Sequence, residues 1–158
     1  MSTLKEMLNE IENEKKENTS PYYKDHHFEY KKAIRRFVEE ELRPHAFEWD
    51  EAKKVPEDIK RKAFAAGILP GVVGPPWPTA FIGRNIAGGV LPEQFDAFHE
   101  LILQDELARL GSAGVQWALQ EGLAIGLPPV LHFGSPYLQQ KVVGPCLRGE
   151  KVICLAIT

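Results

Sequence analysis

Only one stretch of this 158-residue chain is patterned as a buried β-strand, and it comes last. In "RGEKVICLAIT", Gly149 supplies a turn, and Val152 to Ile157 form an unbroken apolar run with β-branched members, too short for an ordinary helix. A single strand cannot build a sheet, so whatever precedes it must bury its apolar surface as helices. The expected fold class is therefore mainly α. A helical bundle domain should span 21–149, followed at 150–158 by the start of a β-domain that is otherwise absent.

Apolar spacing upstream supports that reading. Leu4, Met7, Leu8 and Ile11 predict a short frayed helix inside a loosely ordered segment over 1–20. Tyr30, Ile34, Phe37, Val38, Leu42, Ala46 and Trp49 recur at three and four residues, the stripe of a long helix over about 25–49. Pro44 interrupts it. An internal proline costs about 3 kcal/mol through a lost hydrogen bond and a clash with the preceding turn, so a kink is expected near 40–44. "VPEDIKRKAFAAGI" reads as a short helix with Pro56 in its first turn and Gly67 closing it. Residues 70–92 carry five prolines and five glycines, which excludes regular structure and suggests either a surface crossover or a functional loop.

Helical texture returns over 93–110. "VQWALQEGLAIGL" is apolar nearly all round and should lie in the core, with Gly122 and Gly126 leaving a groove against a neighbour. "FGSPYLQQKVVGPCL" holds a last helix, with Ser135 as its cap, Pro136 at its first position and Gly144-Pro145 as its end.

Several functions are disfavoured by composition. A net charge of -3 is too mild, and of the wrong sign, for a nucleic-acid partner. No apolar run approaches the ~20 residues of a membrane span. The N-terminus lacks arginine and an apolar block, so neither a secretory nor a mitochondrial leader is expected, and a cytoplasmic location is the default. Cys146 and Cys154 are expected to be small buried hydrophobes.

His26 and His27 are adjacent, so they point about 100° apart on a helix and read as exposed surface rather than ligands. Asp96-x-x-His99 has the i, i+3 spacing of carboxylate-bridged metal centres, but such centres need the motif twice. Glu41 and His45 are spoiled as a second pair by Pro44, so no metal site is expected. Glu106 and Arg109 can pair at i, i+3. "GLPPVLHFGS" can line a hydrophobic pocket or simply pack helix on helix. The sequence contains no phosphate-cradling GxGxxG or GxxxxGK and no GxSxG elbow.

The order of these pieces resembles a known family. "FVEEELRPHAFEWDEAKKVPEDI", "RKAFAAGIL", "ILQDELARLGSAGV", "GLAIGLPPVLHFGSPYLQQKVVGPCLRGE" and "KVICLAIT" are similar, in this order and spacing, to the N-terminal part of the acyl-CoA dehydrogenases. The resemblance covers about 28–158 and is most specific from "HFGS" onward. It implies an FAD-dependent oxidoreductase of fatty-acid metabolism that converts a saturated acyl-CoA to its α,β-enoyl product, and a homo-oligomer when complete.

It further implies that Leu155, Ala156, Ile157 and Thr158 lie against the flavin, and that Leu127, Pro128 and Leu131 flank the acyl chain. The glutamate base belongs to a C-terminal helical domain, so no catalytic residue is assigned here. On this reading the chain is a truncated version of a larger design and is inactive alone. The alternative is a stand-alone helical interaction module that keeps the fold without the chemistry.

Overall fold

The stripe from Tyr30 to Leu42 forms the central helix of the computed structural model, which describes residues 3–157. Helix α2, Asp25–Phe37, buries Phe28, Tyr30, Ile34 and Phe37, and its charged residues face outward except for one. In front of it, α1 (Leu4–Glu17) is a regular helix rather than a frayed turn. Its start is fixed by a capping box: Thr3 N–H donates to Glu6 Oε2 at 2.7 Å, and Glu6 N–H donates to Thr3 Oγ1 at 3.3 Å. Ile11 is its buried anchor. Lys31 and Lys32 of α2 reach Glu14 and Glu12 of α1, and Lys15 reaches back to Glu29. The charged run over 12–17 of α1 thus pairs across to α2.

Prolines in three helical stretches are accommodated by one device. A π-turn at Val38–Leu42 ends two residues before Pro44, another at Gly122–Gly126 two residues before Pro128, and a third at Gln139–Val143 two residues before Pro145. A proline ring collides with the carbonyl four residues back and leaves it without a donor. In each case the turn just ahead of the proline widens to i→i+5 bonding, as where the Arg43 N–H donates to the Val38 carbonyl at 2.8 Å, and the helix is re-phased before the ring enters. At Pro44 the kink appears where expected, and a turn then leads to α3, Ala46–Glu51. At Pro145 the outcome differs from the sequence expectation: Gly144-Pro145 does not end the helix. The chain passes from α9 (Pro136–Leu138) through its π-turn into α10 (Gly144–Leu147). Gly149, at φ +71°, follows.

The proline- and glycine-rich stretch is not a surface crossover. After α4 (Ile59–Ala65) and Gly67, residues 69–95 form 3₁₀ turns and the short helix α5, Thr79–Ile82. They bury Leu69, Val72, Trp77, Ile86, Ala87, Val90 and Phe95 in the main core. Gly88 is required at φ +71°, because a Cβ there would stand 2.7 Å from the Glu29 carbonyl.

Helix α6, Ala97–Ala108, packs along α2. Between them lies the exception to α2's outward charges: Arg35 and Glu106, both buried, form a two-point ion pair through Arg35 Nε and Nη2, the latter 2.7 Å from Glu106 Oε1. The local Glu106–Arg109 pair read from the sequence is the looser contact, at 3.9 Å. Among the described residues no helix is long and apolar enough to cross a membrane.

Candidate functional site

Helix α7, Ala113–Glu121, is capped by Ser112, whose Oγ accepts the Val115 N–H at 3.3 Å. It runs through the π-turn into α8, Leu127–Phe133. This stretch is not buried all round: Trp117, Ile125 and Phe133 are exposed. Its two glycines do make a groove, and the chain's own last described residues fill it. A Cβ on Gly122 would sit 1.9 Å from the Ile153 carbonyl oxygen, and one on Gly126 would sit 3.3 Å from the Cys154 carbonyl carbon. Ile153 packs on the core, whereas Val152, Leu155 and Ile157 are exposed.

Residues 152–157 belong to no helix and no strand, and among the described residues their backbone groups make no hydrogen bond. A strand is defined by its ladder, and among the described residues none pairs with this segment. The same openness leaves Cys154 exposed, against the expectation, while Cys146 is buried as expected.

Two clefts flank this segment. One, of about 400 Å³, is lined by Pro56, Lys60, Arg61, Gly149 and Val152. The other, of about 320 Å³, is lined by Lys60, Trp117, Glu121, Ile125 and Leu155. Lys60 borders both, and burial pushes its ammonium below the ordinary lysine range. Neither Lys60 nor Trp117 carries a motif. The only sequence hint is the excess of apolar residues around α7.

The residues predicted to touch the flavin divide. Leu155, Ala156 and Ile157 are exposed on this last segment, and Thr158 lies outside the described residues. Those predicted to flank the acyl chain also divide: Leu127 is wholly buried, while Pro128 and Leu131 are half-buried.

A second constellation joins α2 to α6. His27 is fully buried and His26 partly so, contrary to the surface positions expected of them. The first turn of α2 faces the first turn of α6, so both rings meet the buried His99, and His26 alone keeps an edge in water. Asp96 caps α6, its Oδ1 accepting the Phe98 N–H at 3.0 Å. The same oxygen lies 3.0 Å from His27 Nε2 and 2.9 Å from His99 Nδ1. His26 Nδ1 is 3.0 Å from His99 Nε2. Burial pushes His99 down to about 4 and also lowers His26. Burial opposes the Asp96 charge, but hydrogen bonds from His27 and His99 outweigh it and hold the carboxyl at about 2.

The described residues form an all-helical domain whose last residues lie over Gly122 and Gly126. Its family follows from comparison. Residues 24–150 match the model of the acyl-CoA dehydrogenase N-terminal domain. The chain is 39% identical over 142 residues to the acyl-CoA dehydrogenase apdG of Emericella nidulans, covering 88% of this chain and 32% of that protein. It is 32% identical over 137 residues to the acyl-CoA dehydrogenase AFT10-1 of Alternaria alternata, covering 86% and 32%. Identity to the mitochondrial long-chain specific acyl-CoA dehydrogenase of Sus scrofa is 25% over 133 residues, covering 79% and 27%. This chain belongs to the acyl-CoA dehydrogenase family, and it spans about a third of the length of these relatives.

Flavin is the cofactor that the family implies. The free backbone donors and acceptors of Leu155 to Ile157 fit one edge of a flavin pyrimidine ring, which presents both kinds of group. Nothing in the sequence has the pattern of a glycine-rich phosphate cradle.

Proposed function

We propose that this domain is the N-terminal helical part of an FAD-dependent acyl-CoA dehydrogenase that oxidises a saturated acyl-CoA thioester to its α,β-enoyl product. The observation that carries the reading is the segment 152–157, laid over Gly122 and Gly126 with its backbone groups free. The family match over 24–150 supports it.

On this reading Leu155, Ala156 and Ile157, with Thr158 after them, offer backbone edges and apolar contact to the flavin. Pro128 and Leu131 on α8 form an apolar wall for the acyl chain, with Leu127 holding that wall to the core. The bound flavin supplies the hydride acceptor. This chain's own residues orient the acyl chain and keep water from it. Proton abstraction is assigned to a carboxylate outside these 158 residues. The complete protein is a homo-oligomer.

Two measurements test this. Replacing the matching part of the E. nidulans relative with residues 24–158 should give a flavin-loaded chimera whose flavin is bleached by acyl-CoA. A folded, flavin-loaded chimera that no acyl-CoA bleaches overturns the reading. Flavin-fluorescence titration of the 158-residue chain itself should not saturate in the low-micromolar range, because most of the cofactor's contacts are assigned to other domains. Saturation there would refute that division of labour.

A further inference from the structure

We propose that His26, His27 and His99, with Asp96 behind them, form a binding site for a divalent transition-metal ion of the Zn²⁺ class. The sequence offers only Asp96-x-x-His99, half of a metal motif. The fold brings up two more imidazoles from a helix some seventy residues away and places one ring nitrogen of each histidine within 4.8 Å of the others. In a tetrahedral zinc site with bonds of about 2.0–2.1 Å, ligand nitrogens stand roughly 3.3–3.4 Å apart. The 3.0 Å between His26 Nδ1 and His99 Nε2 and the 4.8 Å outer limit bracket that spacing. Rotation of the partly exposed His26 ring therefore opens the site.

The surrounding bonds are those of a metal site's outer layer. His99 Nδ1 lies 2.9 Å from Asp96 Oδ1 and 3.1 Å from the Asp96 N–H, so it can donate to the one or accept from the other; an ion on Nε2 selects the tautomer in which Nδ1 donates to Asp96 Oδ1. Carboxylates of this kind fix the tautomer and orientation of metal-ligating histidines. His27 now has its Nε2 on Asp96, and its Nδ1 accepts the Lys24 N–H at 2.9 Å. Ligation by Nε2 moves the ring proton to Nδ1 and returns the Lys24 N–H to water at the exposed start of α2.

Three imidazoles and no thiolate select a borderline ion over Cu(I), and the scarcity of oxygen ligands disfavours Ca²⁺ and Mg²⁺. A fourth position stays open toward His26, the only one of the three rings that reaches the surface. The ion would staple the first turn of α2 to the first turn of α6. The site does not depend on the dehydrogenase reading, because none of its residues belongs to the flavin or acyl surfaces.

The experiment titrates ZnCl₂ by calorimetry into the metal-free chain near neutral pH, with Co²⁺ as a spectroscopic substitute. The expected result is one ion per chain, saturating in the micromolar range or below, with the intense visible bands of a tetrahedral Co²⁺ centre. His26→Gln should weaken binding about tenfold or more. His26 is partly exposed, so this variant keeps the fold, which an unchanged far-ultraviolet spectrum verifies. His132→Gln, at an exposed histidine on α8, should bind like the parent. Absence of saturable binding, several weak ions per chain, or one tight ion that survives His26→Gln would each overturn the proposal.

Discussion

Replacing Glu106 with leucine should cost this domain a large part of its stability. Glu106 is 0% exposed and Arg35 is 3% exposed, so neither charge has water to fall back on when its partner is lost. Burial works against the Arg35 charge, yet its hydrogen bonds to Glu106 keep its pKa above the ordinary arginine value. A guanidinium cannot shed its proton to escape. Removing one member of such a buried pair costs about 3–5 kcal/mol, out of a total of about 5–15 kcal/mol for a domain. In a chain of this size each kcal/mol shifts the melting temperature by about 2–4 °C, so Glu106→Leu should melt roughly 6–20 °C lower.

The double variant Arg35→Met/Glu106→Leu removes both charges and leaves two apolar side chains facing each other. It should recover most of the loss, because well-packed apolar replacements of buried pairs are close to neutral. The assay is urea unfolding of the parent, both single variants and the double variant, followed by circular dichroism. A Glu106→Leu penalty below about 1 kcal/mol would place the pair in effective contact with water. A double variant as unstable as the sum of the singles would show no coupling between the two residues. Either result refutes the reasoning.

Other positions give sharper local outcomes. Gly122→Val places its side chain where the Ile153 carbonyl oxygen now sits, 1.9 Å from the Cβ position, so residues 152–157 should leave the groove. The expected readout is faster tryptic cleavage after Lys151 with unchanged helix content. Deleting 151–158 should reduce aggregation measured by light scattering, because it removes the exposed Val152, Leu155 and Ile157 from an open β-prone edge. Equal scattering with and without the segment would count against this. Gly88→Ala should destabilise by about 1–3 kcal/mol, and by more than Gly83→Ala. Both glycines have positive φ, but only Gly88 also meets backbone, at 2.7 Å, while nothing lies within 4 Å of a Cβ on Gly83. Thermal melts of the two variants check the order.

What could be read from the sequence was whatever depends on neighbours close along the chain. The Tyr30–Leu42 stripe and the Ser135 cap lie within one helix, and both appear where expected. The kink at Pro44 was legible for the same reason. The continuation through Pro145 was not, because a proline marks where an α-helix must change without fixing how. A π-turn and a chain break relieve the same clash.

The candidate sites depend on contacts between distant residues, and there the same local reasoning misplaces side chains. His26 and His27 look like surface on a helical wheel, and a wheel cannot show α6 arriving with Asp96 and His99. Arg35 looks like one more solvated charge until Glu106 is placed against it. The Gly122–Gly126 groove was legible as a groove, but its occupant was not, since small residues record only that something comes close. A buried charge, a buried histidine and a fitted glycine each need a partner that the local pattern does not name. Perturbing one member of each pair therefore tests the fold's long-range contacts more directly than any change along a single helix.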